Sequence, residues 1–140
     1  MFHRILIAND GSDGALRALD AALELAVTLK ADLCMIGVEE DLPKYAETIG
    51  ELDDEKEAEE SYFQEVGAQA RAKAFSRGIE LRHAIVAGHE VKAIVEYARQ
   101  NSFDLLVVGF TGHSRIYEHI WGGTSQNLTR IAPCSVLVIK

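Results

Sequence analysis

The sequence predicts an α/β protein in which one open sheet of five parallel strands carries helices on both faces. Three observations support that expectation. Short apolar runs alternate along the chain with longer stretches whose apolar residues recur at helical spacing. The short runs are continuous rather than alternating apolar with polar, as strands covered on both faces require. Asparagine, aspartate, serine and glycine punctuate the junctions, where turns are needed.

The first run, Ile5-Leu6-Ile7-Ala8, stops at the turn residues Asn9-Asp10-Gly11-Ser12. A helix is expected from Asp13 to Leu29, with Leu16, Leu19, Leu23 and Ala26 at helical spacing and Ser12 as its N-cap. Leu33 to Val38 is the second buried strand, and Glu39 to Tyr45 a loop closed by Pro43. Glu51 to Arg77 is a long helix with Phe63, Val66 and Ala70 on one face and Gly78 as its stop. The acidic run at its start suits the helix dipole and is a solvated face rather than a metal site. Leu81 to Val86 is a weaker, more polar strand, placed nearer a sheet edge. Val91, Ile94, Val95 and Ala98 repeat as one face of the third helix. Leu105 to Val108 is the most strand-like run, and a glycine-rich segment follows it. A short helix from Ser125 to Ile131 and a strand from Ser135 to Ile139 complete the alternation. Strands linked by helical crossovers run parallel with right-handed connections, which gives a Rossmann-like architecture.

Composition bounds the function. With 140 residues, 48% of them apolar, residues 1–140 are expected to form a single domain whose core needs no disulfide or metal. A net charge of −8 argues against nucleic-acid binding, which needs a basic footprint. No stretch approaches the ~20 apolar residues of a membrane span. The first residues read as a strand rather than a signal peptide, so a cytoplasmic protein is expected. Cys34 and Cys134 are far apart and read as two buried thiols, while His3, His83, His89, His113 and His119 show no metal-ligand spacing.

Ligands of open parallel sheets lie beyond the carboxyl ends of the strands, where strand order reverses. The first and fourth strands carry the strongest buried runs and make the natural central pair. Their exits, Asn9 to Ser12 and Gly109-Phe110-Thr111-Gly112, then face each other across the crevice. Gly109 and Gly112 are followed, after nine residues, by Gly122-Gly123-Thr124-Ser125 at the start of the last helix. Missing side chains let a phosphate approach the backbone, successive N–H groups form an anion nest, and the helix N-terminus adds donors. Thr124 and Ser125 can cap that helix or bond phosphate oxygens, and Ser114 and Arg115 lie in the intervening loop. On spacing alone these glycines suit a tight turn as well as a phosphate site. Neither a Walker A loop nor GxGxxG after the first strand is present. Asp10 is the one carboxylate placed near the crevice, and no positioned base or nucleophile marks an enzyme.

At these residues the chain resembles the universal stress protein family over its whole length. Gly109, Gly112 and Gly122 match that family's GxxG-x9-G spacing, and the opening Ile5 to Ser12, Asp32 to Val38, Gly88, Asp104 to Gly109 and Ala132 to Val138 look like family landmarks. The resemblance implies strand order 3-2-1-4-5 and a stress-response regulatory protein binding ATP or another adenine nucleotide, with Mg²⁺ and slow hydrolysis at most. It places Ala8, Asp10 and Val38 at the adenine and ribose. Gly109, Gly112, His113, Ser114, Gly122, Gly123, Thr124 and Ser125 fall around the phosphates. Gly123 departs from the serine or threonine usual there and removes one hydroxyl. The resemblance further implies a homodimer through the last strand, Ser135 to Ile139, whose sheet edge needs covering. The alternative is a dimeric stress-response interaction protein that binds no nucleotide, and Gly123 is the feature in its favour.

Overall fold

The computed structural model describes residues 1–40, 49–110 and 123–140, with residues 49–53 described by backbone alone. The elements follow in strict alternation: β1 (Arg4–Ala8), α1 (Asp13–Leu29), β2 (Asp32–Glu39), α2 (Ile49–Phe75) and β3 (Arg82–Ala87), then α3 (Glu90–Gln100), β4 (Leu105–Gly109), α4 (Thr124–Ile131) and β5 (Ser135–Ile139). All five strands pair in parallel in the order β3-β2-β1-β4-β5, as the sequence and the family resemblance imply.

The register explains why the strand sequences are apolar throughout. Ile5 pairs with Leu33 on one side and Leu105 on the other, and Ile7 with Met35 and Val107. These six face the layer formed with α1 and α2, where Leu19, Leu23, Val66 and Ala70 also lie. Leu6, Cys34 and Leu106 sit one residue out of phase and face the opposite layer, with Ile94, Val95 and Leu128 of α3 and α4. Ile5, Leu6 and Ile7 are wholly buried. Each such side chain contributes about 1.5–3 kcal/mol of burial free energy, so neither face tolerates a polar residue. At the opposite end from the crevice, the Asp104 carboxylate accepts the backbone N–H groups of His3 and Arg4 at 2.8 and 3.0 Å, tying the starts of β1 and β4 together.

Three expectations change. Leu16 is not part of the core face of α1, since it is 39% exposed. The buried stripe is instead Gly14, Ala15, Ala18, Leu19, Ala22, Leu23 and Ala26. The reason is proximity: small residues let the start of α1 approach β4, and a leucine has no room there. Glu39 is the last residue of β2 rather than the start of a loop, while Pro43 and Tyr45 lie outside the described residues. Cys134 is half-buried, unlike the buried Cys34. The long helix ends at Phe75, and the chain turns through Gly78 at φ 75°, with the Ile79 N–H bonded to the Ala74 carbonyl at 2.9 Å. No described helix is long and apolar enough to cross a membrane.

Candidate functional site

The connections out of β1 and β4 run in opposite directions, β1 leading through α1 to β2 and β4 through α4 to β5. That reversal opens a crevice at the carboxyl ends of the two strands. Its apolar lining is Ala8, Ile36, Val38 and Val108 from the strands, with Ala15, Ile94 and Leu128 from three helices.

One wall is the turn after β1, held by its own side chains. Asn9 is 2% exposed, and its Oδ1 accepts the Gly11 N–H at 2.9 Å while its Nδ2 lies 3.2 Å from the Met35 sulfur. Gly11 sits at φ 80°, a conformation that suits glycine. Asp10 Oδ1 accepts the Ser12 N–H at 2.9 Å, and Ser12 Oγ accepts the Ala15 N–H at 3.2 Å, capping α1 as expected. The Tyr62 hydroxyl of α2 donates to the Asp10 carbonyl. Asp10 therefore closes the turn and faces the crevice at once.

The other wall comes from the end of β4 and the start of α4. Gly109 lines the crevice, but its missing side chain answers first to packing. A Cβ there would lie 2.6 Å from the backbone carbon and oxygen of Gly14. The glycine is required by the approach of α1 to β4, with or without a ligand. Thr124 and Ser125 do not cap α4, contrary to expectation. Gly123 occupies the N-cap position and offers no side-chain bond, because Thr124 already has helical geometry. Thr124 Oγ1 donates instead to Glu90 Oε2 at 3.1 Å, and Ser125 is buried at the crevice.

Glu90 corrects the expectation that Asp10 is the one carboxylate near the crevice. It is the first residue of α3 and half-buried in the lining. Burial is the main cause that raises its carboxyl from 4.5 to about 7, the charges of Asp10 and Glu40 push the same way, and the Thr124 hydrogen bond opposes them. Among the described lining residues, the charged ones are Asp10 and Glu90, both acidic.

Of the residues singled out from the sequence, Ala8, Asp10, Val38, Gly109, Thr124 and Ser125 come together around this crevice, with Gly123 adjoining at the head of α4. Gly112, His113, Ser114 and Gly122 lie outside the described residues, as do Arg115, His119 and Trp121. Sequence reasoning missed Glu90 and the helix residues Ile94 and Leu128. A signal for Glu90 was present: crossover helices begin at the carboxyl ends of the strands, so the start of α3 is a place to look for crevice residues.

Comparison with known proteins gives a consistent result. The universal stress protein family model matches residues 1–140. Universal stress protein YxiE of Bacillus subtilis is 28% identical over 100% of both chains. The structure of universal stress protein UspA from Lactobacillus plantarum aligns with a TM-score of 0.88 at 27% identity, covering 99% of this chain and 98% of that one. A crystal structure of a universal stress protein in complex with cAMP aligns with a TM-score of 0.78 at 28% identity, covering 99% and 97%.

Proposed function

Because this chain belongs to the universal stress protein family, we propose that it is a single-domain, cytoplasmic stress-response regulator that binds an adenine nucleotide between β1 and β4. The observation that carries this reading is the crevice itself: an apolar floor at the topological switch point, flanked by the N-terminus of α4, whose N-cap is a glycine. Adenine would lie on Ala8 and Val38, with Asp10 accepting hydrogen bonds from the base or ribose. The phosphates would lie along Gly109, Gly112, Gly122, Gly123, Thr124 and Ser125. The similar protein in complex with cAMP supports an adenine nucleotide as the ligand class. ATP with Mg²⁺ is the ligand we would test first.

We read the site as one for binding, with ATP turnover slow at most. The same reading makes the protein a homodimer through β5, which lies at the sheet edge with its residues from Val136 to Ile139 half-buried in the single chain. The second reading, a dimeric interaction protein without nucleotide, draws on the acidic lining of the crevice. Thermal unfolding with ATP and Mg²⁺ separates the two. A ligand at a hundred times its Kd stabilises by about 2.7 kcal/mol. No shift at millimolar ATP, AMP or cAMP would leave the second reading standing.

A further inference from the structure

Glu90 occupies a place where an incoming phosphate would also be favoured. Its Oε2 accepts the hydroxyl of Thr124, the first residue of α4, at 3.1 Å. A carboxylate beside a helix N-terminus is stabilised by the same partial positive charge that attracts a phosphate. From the other elements around it, Asp10 of the turn after β1 and Glu40 beyond β2 add negative charge. Glu40 is itself placed by the Glu59 carboxylate of α2, which accepts its backbone N–H at 3.2 Å. No lysine or arginine is among the described residues of the lining. Among the described residues, the crevice therefore has a carboxyl of its own at the head of α4, with further negative charge on two sides.

We propose that Glu90 is a specificity-determining residue that limits the phosphate charge the crevice accepts, favouring a nucleotide with a single anionic phosphate over a triphosphate. The inference rests on the nucleotide reading above and deepens it. Like charges brought within a few ångströms in a partly desolvated site repel strongly, and the repulsion scales with ligand charge. A cyclic monophosphate carries one negative charge, and ATP near pH 8 carries about four. Protonation of Glu90 removes one of the opposing charges. Its carboxyl titrates near 7, so the discrimination strengthens above neutrality and relaxes below it. A bound triphosphate favours the protonated carboxyl, and binding at pH 8 takes up a fraction of a proton.

Titration calorimetry of the full chain with ATP, AMP and cAMP at pH 6 and pH 8, for the wild type and Glu90→Gln, tests this. At pH 8, Glu90→Gln binds ATP about fivefold more tightly than the wild type, the factor that one pK unit of charge coupling gives for a carboxyl near 7. AMP gains less and cAMP least, about threefold at most. At pH 6 the advantage for ATP shrinks, and titration of the ligand phosphates cancels because both proteins meet the same ligand. Proton uptake at pH 8, read from buffers of different ionisation enthalpy, is present in the wild type and lost in the variant. An equal effect of Glu90→Gln on ATP and cAMP, or an ATP advantage unchanged between the two pH values, overturns the charge-limiting role and leaves the nucleotide site intact. No binding of any of the three by either protein overturns the nucleotide reading, and this inference with it. If Glu90→Gln does not fold, Glu90→Ala, which demands no hydrogen bond, makes the same comparison.

Discussion

Of the helices that begin at the rim of the crevice, α1 and α4 begin differently. The start of α1 is closed by its own sequence: Asn9 and Asp10 accept backbone N–H groups of the turn, and Ser12 accepts that of Ala15 in the helix. The start of α4 has Gly123 as its cap, extended at φ −54° and ψ 166°, and no side-chain bond. The hydroxyl that could have served there, on Thr124, is turned to Glu90 of a third helix. Both helices present the positive end of a dipole to the same space. What separates them, among the described residues, is whether the N-cap side chain supplies an acceptor. The end capped by Ser12 reads as structure, and the end capped by Gly123 as the place for an outside anion, with Glu90 beside it.

The contrast can be broken at either end. The largest effect is expected at the point where the two walls touch, since Gly109→Val drives a side chain into the backbone of Gly14. It should cost about 3 kcal/mol, as overpacking without a flexible neighbour does, and urea unfolding would read it. A loss under about 0.5 kcal/mol, the size of an ordinary surface substitution, would show that α1 and β4 are not held so closely. Loss of nucleotide binding in this variant would report the fold as much as the site.

Ser12→Ala removes the α1 cap and should cost about 1 kcal/mol by the same measurement. Glu90→Gln should act in the other direction, and only at higher pH. The folded state keeps the Glu90 proton up to about pH 7, while the unfolded chain releases it near 4.5. Wild-type stability through this group therefore falls as pH rises across that window and levels off above it. Glu90→Gln should gain roughly 1 kcal/mol over the wild type at pH 8, after allowance for solvent screening, and nothing near pH 4.5. Thermal unfolding at the two pH values checks the sign. The smallest change in stability belongs to Gly123→Asp, which gives α4 a side-chain cap worth a few tenths of a kcal/mol over glycine. Its carboxylate would compete with phosphate, so nucleotide affinity should fall although the protein becomes slightly more stable. A stable Gly123→Asp with unchanged ATP affinity would erase the distinction between the two helix ends.

Much of this was legible in the sequence, for physical reasons. Buried parallel strands are continuous apolar runs, so Ile5 to Ala8, Leu105 to Val108 and Ser135 to Ile139 located β1, β4 and β5 to within a residue. Strand order followed from which runs were most apolar, together with the family resemblance. Ser12 was visible as a cap because its chemistry is local. Leu16 misled because helical spacing gives a face but not how closely that face is approached, and in the first turn of α1 it is Gly14 and Ala15 that meet β4. Glu90 was missed because its role arises from Thr124, more than thirty residues away in sequence, and from Asp10 across the crevice. Spacing along one segment carries no trace of such a meeting. For the same reason Thr124 read as a cap, when its hydroxyl is engaged elsewhere.

The central claim is that an adenine nucleotide lies between β1 and β4 with its phosphates at the head of α4. Backbone amide chemical shifts, followed by NMR while ATP and Mg²⁺ or cAMP are added to the full chain, test it most directly. A nucleotide there gives the largest saturable shifts at Asn9, Asp10, Val38, Gly109, Gly123, Thr124 and Ser125, with the α1–α2 groove around Leu16, Gln69 and Lys73 unmoved. Shifts confined to that groove, or none at millimolar nucleotide, would contradict it.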